Sequence, residues 1–227
     1  MAYRSSVTST SNVSGTLGGT PTGLAAHDYL CGVYVGDGSG TPTVPTGWTS
    51  RLNQDQATPD GQIFRFADKL DATGSDAVGW TTVSSTGNSV INACWSGRNN
   101  TTPRTALVGT TDTTARSSGF AETITGVTAA GGDDIAVFMQ TDETASSNAW
   151  SFSTITSYTE REDVATADWM AVGLDTRDNV SAGATGSLSC TISSAAGTTG
   201  FGAIVVAIAA ATAAASIPLL TTMGVGR

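Results

Sequence analysis

The sequence predicts an all-β fold: an antiparallel two-sheet β-sandwich with an internal duplication. Three observations predict it. Threonine supplies 38 and glycine 27 of the 227 residues, while Lys69 is the only lysine. Thr and Val suit pleated, half-buried surfaces and Gly marks turns, so the composition is that of a β protein. Strand signals recur at short spacing between Gly/Pro/Asp/Ser clusters, without the sustained i, i+3, i+4, i+7 stripe of a helix. The second half also re-reads the first at an offset of about 106 to 113 residues.

In chain order, strands are expected near 5–13, 29–35, 48–55, 62–68, 78–84 and 90–96 in the first half. The second half should place them near 105–110, 120–127, 135–140, 150–161, 169–174, 186–193 and 202–209. Turns fall where the backbone needs Gly or Pro, as at Gly36-Asp37-Gly38-Ser39-Gly40, Thr58-Pro59-Asp60-Gly61, Gly74-Ser75-Asp76 and Gly131-Gly132-Asp133. The repeat aligns Asp28-Tyr29-Leu30-Cys31 with Asp133-Asp134-Ile135-Ala136, and Gly47-Trp48-Thr49-Ser50-Arg51 with Ser157-Tyr158-Thr159-Glu160-Arg161. It sets Gln62-Ile63-Phe64 against Asp168-Trp169-Met170, Thr82-Val83 against Thr191-Ile192, and 90–95 against 203–208. What repeats is strand pattern rather than reactive side chains, which points to a scaffold.

The expected organisation is an N-terminal arm or edge strand over 1–23, a duplicated sandwich over 24–216 with halves near 24–100 and 101–216, and a C-terminal docking tail over 217–227. Without a linker between the halves, matching strands in one sandwich are preferred to tandem small sandwiches. The apolar run 201–215 is Ala-rich and pairs with a first-half strand in the repeat. It is therefore read as a buried closing strand rather than a membrane span. The tail is apolar and ends on a cation. Ile217, Leu219, Leu220, Met223, Val225 and Arg227 are its candidate assembly contacts.

The net charge is −9 and the pI is near 4.3. An acidic surface repels phosphate backbones, so no nucleic-acid partner is expected. Cys31, Cys94 and Cys190 lack CxxC spacing and fall on expected strands, as core thiols or with one disulfide. A lone His27 cannot build a His-based zinc site. No apolar segment follows Met1-Ala2-Tyr3-Arg4, so no signal peptide is expected, and the sequons at Asn12, Asn100 and Asn179 read as chance.

Glu160, Glu162 and Asp163, with Asp175 or Asp178 as partner, are the one carboxylate set that could serve a glycosidase. The matching first-half positions are Ser50, Leu52 and Asn53, so the acids are expected on solvated strand edges, with no catalytic role. Asp37, Asp60, Asp142-Glu143 and Asp175-Thr176-Arg177-Asp178 are calcium candidates by residue type, yet lack EF-hand spacing. Trp48, Trp80, Trp95, Trp150 and Trp169 could stack on sugars, but large aromatics in strands more often fill a core. No enzyme, cofactor or metal is expected.

The ordered set Asp37-Gly38, Thr41-Pro42-Thr43-Val44-Pro45-Thr46-Gly47-Trp48-Thr49, 63–69, Gly79-Trp80-Thr81, and 90–95 with 203–209 resembles a family of tailed-bacteriophage virion proteins. That family is built on jelly-roll-like β-sandwich domains. The resemblance spans most of 24–210. It implies a non-enzymatic structural protein on the exterior of the virion, decorating or cementing the capsid, with the major capsid protein or other virion proteins as partners. A homo-oligomer is expected, a trimer first. The alternative is a receptor- or glycan-binding module on a tail or collar.

Overall fold

The computed structural model describes residues 2–11, 13–38, 40–55, 61–83, 87–99, 101–114, 119–143, 151–165, 170–193 and 198–211. These residues form seventeen strands, every pairing antiparallel. The first half contributes β1 (Ala2–Ser11), β2 (Thr16–Leu17), β3 (Tyr29–Asp37), β4 (Thr49–Asn53), β5 (Gln62–Lys69), β6 (Trp80–Thr81) and β7 (Asn88–Ser96). The second contributes β8 (Arg104–Asp112), β9 (Phe120–Ile124), β10 (Thr128–Ala129), β11 (Asp134–Glu143), β12 (Ser151–Phe152), β13 (Thr159–Ala165), β14 (Met170–Arg177), β15 (Gly183–Ala184), β16 (Leu188–Ser193) and β17 (Thr198–Ile208).

Each half builds its own five-stranded sheet. The first runs β1-β7-β3-β5-β4, and the second runs β8-β17-β11-β14-β13. The two orders match strand for strand, and β2-β6 matches β9-β16. The bulges match as well. Arg4 is the extra residue of β1 against β7, and Thr105 that of β8 against β17. Arg51 and Arg161 are the extra residues of β4 and β13. Each bulge also aims a side chain at the same place. Arg4 reaches Asp28 at 2.9 Å and Thr105 reaches Asp133 at 2.6 Å. Both aspartates accept from the amide three residues earlier, Ala25 and Ala130.

The register corrects one sequence alignment. Val35 pairs Phe64 and Gln140 pairs Val172, so Phe64 answers to Val172 rather than to Met170. A slip of two residues keeps every side chain on its face, so hydrophobic periodicity could not detect it. The expected single strand over 150–161 is two strands, β12 and β13, parted by a turn at 155–158 with Ser157 at φ 71°. Among the described residues 78–83 only Trp80–Thr81 is strand, and 201–208 lies in β17, beside β11 and β8.

The two large sheets pack face to face. Val33, Val35, Phe64, Phe66, Ile91 and Trp95 meet Phe138, Val172, Leu174, Ile204, Val206 and Ile208 between them. Phe66 and Phe138 pack across this boundary with ring centroids 5.8 Å apart, worth about 0.5–1.5 kcal/mol beyond the area they bury. The outer face of the first sheet buries Leu30, Tyr34, Ile63 and Val90 under Trp48 and Trp80. The outer face of the second buries Ile135, Val137, Met139 and Val205 under Phe152, Leu188 and Ile192. Because both faces of β3, β5 and β7 are covered, they read as nearly continuous buried runs. β16 has one covered face, and its Leu188–Ser193 alternates strictly between buried and exposed.

Buried charge ties the halves together. Arg98, in the connection from β7 to β8, pairs with Asp134, both almost fully buried. Burial pulls the Arg98 guanidinium down and pushes the Asp134 carboxyl up, and their mutual attraction opposes both shifts. Asp134 also accepts the Asn179 amide at 2.8 Å. Asp68 of β5, with a fully buried carboxyl, receives Arg51 at 2.7 Å, Tyr29 at 3.0 Å and Arg104 of β8. On the other side, Glu162 of β13 accepts Ser6 at 2.5 Å and Thr8 at 2.9 Å from β1.

Candidate functional site

The turns that lead into β4 and β13 are built alike. Trp48 donates its amide to Pro45 and Tyr158 to Ile155, each closing a tight turn. Gly47 at φ 82° and Ser157 at φ 71° hold the left-handed position before the aromatic residue. One strand away, Lys69 pairs Leu30 as Arg177 pairs Ile135, so the two cations end β5 and β14 at equivalent places. Each half thus sets a cation beside an aromatic turn.

The first half closes this place with its own chain. Lys69 Nζ lies 2.6 Å from the Asp76 carboxylate, and Trp48 Nε1 donates to the Ala77 carbonyl at 2.8 Å. Asp76 is fixed by Thr73, whose amide donates at 2.8 Å and whose hydroxyl donates at 3.0 Å, and by the Gly74 amide at 3.2 Å. The corresponding second-half loop reads Val180-Ser181-Ala182-Gly183-Ala184-Thr185-Gly186 and carries no acid. Arg177 is exposed and makes no ion pair with any described residue. Tyr158 Oη is buried without a hydrogen-bond partner among the described residues, and burial raises its pKa. Between them lies a depression of about 300 Å³ lined by Thr156, Tyr158, Arg177, Thr185, Ser187 and Ser189, with Ile155 and Leu188 beneath.

The expected carboxylate set is only partly on the surface. Glu160 is exposed, as expected, but Glu162 and Asp163 are half-buried. β13 lies beside β1, which supplies the hydroxyls that hold Glu162. Asp163 turns under the sheet edge, where Phe152 donates to one oxygen at 3.3 Å and the other has no partner among the described residues. Burial, then the Glu160 charge, push its carboxyl up to about 6. Asp175 is buried and accepts the Ile155 amide at 2.6 Å, fixing the turn below Tyr158. Burial pushes it to about 6 too, with Glu160, its cross-strand neighbour, adding to the shift. Asp178 stays exposed, 3.6 Å from Arg161.

The other candidates separate. Among the described residues no three His, Cys, Asp or Glu side chains are grouped to hold a metal ion. Asp37 ends β3, Asp142 and Glu143 end β11, and Asp60 lies outside the described residues. Cys31, Cys94 and Cys190 are free and buried. Cys31 faces the central core and Cys94 the outer one, so neighbouring strands hold them on opposite sides of the sheet. Burial raises the Cys190 thiol to about 12. His27 is exposed and bonds Asp71 at 2.6 Å. Trp48, Trp80 and Trp95 are buried, and Trp150 and Trp169 lie outside the described residues.

Ile217, Leu219, Leu220, Met223, Val225 and Arg227 also lie outside the described residues. Sequence reasoning missed the contrast between Lys69 and Arg177. Its signal was available: Lys69 is followed within eight residues by Asp76, whereas the loop after Asp178 runs to Gly186 without an acid. No family model, curated protein or solved structure matches this chain.

Proposed function

We propose that this chain is a non-enzymatic structural protein of a bacteriophage particle, decorating or cementing the outside of the capsid. The observation that carries the reading is how the buried charges are used. Asp28 and Asp133 bind a bulge residue and a turn amide, Asp68 binds residues of both halves, and Asp134 clamps the connection between them. Charge spent on holding strands and turns is charge spent on rigidity. The resemblance of the ordered motifs between Asp37 and Ala209 to tailed-phage virion proteins supports the same reading.

The matching strand orders are read as an internal duplication of one jelly-roll-like unit. In each half the first strand pairs with the last, β1 with β7 and β8 with β17. The second pairs across from them, β2 with β6 and β9 with β16. Among the described residues Val13 is the only large apolar side chain that is exposed. Apolar adhesion therefore falls to the tail, through Ile217, Leu219, Leu220, Met223 and Val225, with polar contacts from the body. A symmetric trimer covers the open edges of sheets that have a single lysine to guard them. Binding to the assembled shell alone stabilises that shell by mass action.

A reconstruction of the intact particle tests this. Density for the layered body repeated over the capsid lattice is expected. Density confined to the tail or collar favours the second reading, a receptor- or glycan-binding module, for which the open depression beside Arg177 is the specific observation.

A further inference from the structure

We propose that the depression beside Arg177 is a docking site for an acidic side chain presented on a turn by a partner protein. It deepens the structural-protein reading by naming the partner's chemistry, and rests on that reading only for the partner being a particle protein. The first half displays the occupied form of the same place. There the carboxylate of Asp76 meets Lys69 and the carbonyl of Ala77 meets the Trp48 ring N–H, both offered by one self-bonded turn. The second half keeps the cation and the ring donor but has lost the acid. Its loop over 180–186 is built from small residues and folds back through β15, whose Ala184 and Gly183 pair Thr128 and Ala129 of β10.

Three features specify the ligand. Arg177 is exposed at the rim, and a guanidinium binds a planar carboxylate through two parallel N–H donors. Tyr158 lines the depression, and its Oη is a buried donor without a partner among the described residues, a state that costs free energy until an acceptor is supplied. The hydroxyls of Thr156, Ser187 and Ser189 line the rest, able to bond the carbonyls of an incoming turn. A sugar fits less well, because the Tyr158 ring packs on the outer core of the second sheet and is not a stacking platform. The volume of about 300 Å³ suits one side chain with its turn rather than an extended strand.

The test is a titration of the full chain by two-dimensional NMR with a head-to-tail cyclised peptide reproducing Thr73-Gly74-Ser75-Asp76-Ala77. A second peptide carries Asn in place of the aspartate, and sodium glucuronate serves as the saccharide probe. Saturating shifts of the Arg177 Nε–H resonance and of Ser187 and Ser189 are expected with the aspartate peptide. Binding should be at least about tenfold weaker for the asparagine peptide, the loss of one charge-assisted pair, and for the Arg177→Gln protein. Arg177 is exposed, so that variant keeps its fold, and an unchanged amide spectrum elsewhere verifies this. Equal shifts with both peptides, no shift at all, or saturation by glucuronate alone would each overturn the proposal. Failure here leaves the particle reconstruction unaffected, and absence from the particle leaves this titration unaffected.

Discussion

Arg51 and Arg161 occupy the same bulge in the two halves, and each turns its guanidinium back to the residue that pairs with the threonine two places before it. Arg51 Nε donates to Asp68, the partner of Thr49, at 2.7 Å. Arg161 Nε donates to Thr176, the partner of Thr159, at 2.8 Å. A bulge leaves one residue outside the ladder and sharpens the local twist. In both halves an arginine takes that place and stitches the kink to the next strand. The acceptors differ in charge, which makes the pair a controlled comparison.

Asp68→Ala should be among the most damaging single changes in the chain. It removes the acceptor of Arg51, Tyr29 and Arg104 at once, at a site whose carboxyl is fully buried. Stripping one partner from a buried ionic network costs about 3–5 kcal/mol. Thr176→Val removes the matching acceptor in the second half, where Arg161 keeps Asp178 at 3.6 Å and the Tyr3 ring at 4.2 Å. Its cost should be about 1 kcal/mol. Urea unfolding of both variants measures the difference, and equal losses would contradict the account.

Gly202→Ala probes the boundary between the two large sheets. A Cβ there meets Phe64 Cδ1 at 2.8 Å and Gln140 Nε2 at 2.9 Å. The Gln140 amide donates to Gln62 across the boundary at 2.7 Å, so neither neighbour yields freely. The variant should lose about 1–3 kcal/mol, the usual cost of overfilling a packed core. Gly131→Ala meets nothing closer than 3.7 Å and should change stability by less than about 0.5 kcal/mol.

The raised carboxyls of Asp163 and Asp175 set a pH dependence with a defined sign. Their folded values near 6 lie above the ordinary value of 3.8, so ionisation costs more in the folded state. Their contribution is undiminished below about pH 4 and is lost as pH rises through 6. Asp163→Asn should therefore be more stable than the parent at pH 8 and lose that advantage by pH 4. Asp163 is half-exposed, so solvent screening reduces the gain to a Tm shift on the order of 2–4 °C. Thermal melts across that range check it, and an advantage that grows toward low pH would contradict it.

Most of the fold was legible in the sequence because the large strands carry their own pattern. The alternation at Leu188–Ser193 and the continuous run at Tyr29–Asp37 each reported how many faces the strand buries. The two-residue strands β2, β10 and β15 were not legible, since each is defined by the partner it meets and not by its own residues. The turn before β13 was half visible: Ser157-Tyr158 aligned with Gly47-Trp48, but serine gave no warning of a left-handed residue. The half-burial of Glu162 and Asp163 was invisible for a different reason. For Glu162 it depends on the Ser6 and Thr8 hydroxyls of β1, more than 150 positions away, and for Asp163 on the short strand β12, whose Phe152 amide it accepts.

The tail carries a separate expectation. Deleting 217–227 should leave folding intact, because the described body closes its three cores without it. If the tail docks on the particle as proposed, removing Ile217, Leu219, Leu220, Met223 and Val225 should lower occupancy on particles. Co-sedimentation of truncated protein with particles measures this. Wild-type occupancy by the truncated chain would remove the tail from the account.

The most direct test of the central claim compares DNA release from particles with and without the protein. If the chain cements the shell, depleted particles should still assemble but open at a lower temperature, and adding the purified protein back should restore the release temperature of intact particles. Identical release temperatures for intact, depleted and restored particles would contradict the claim.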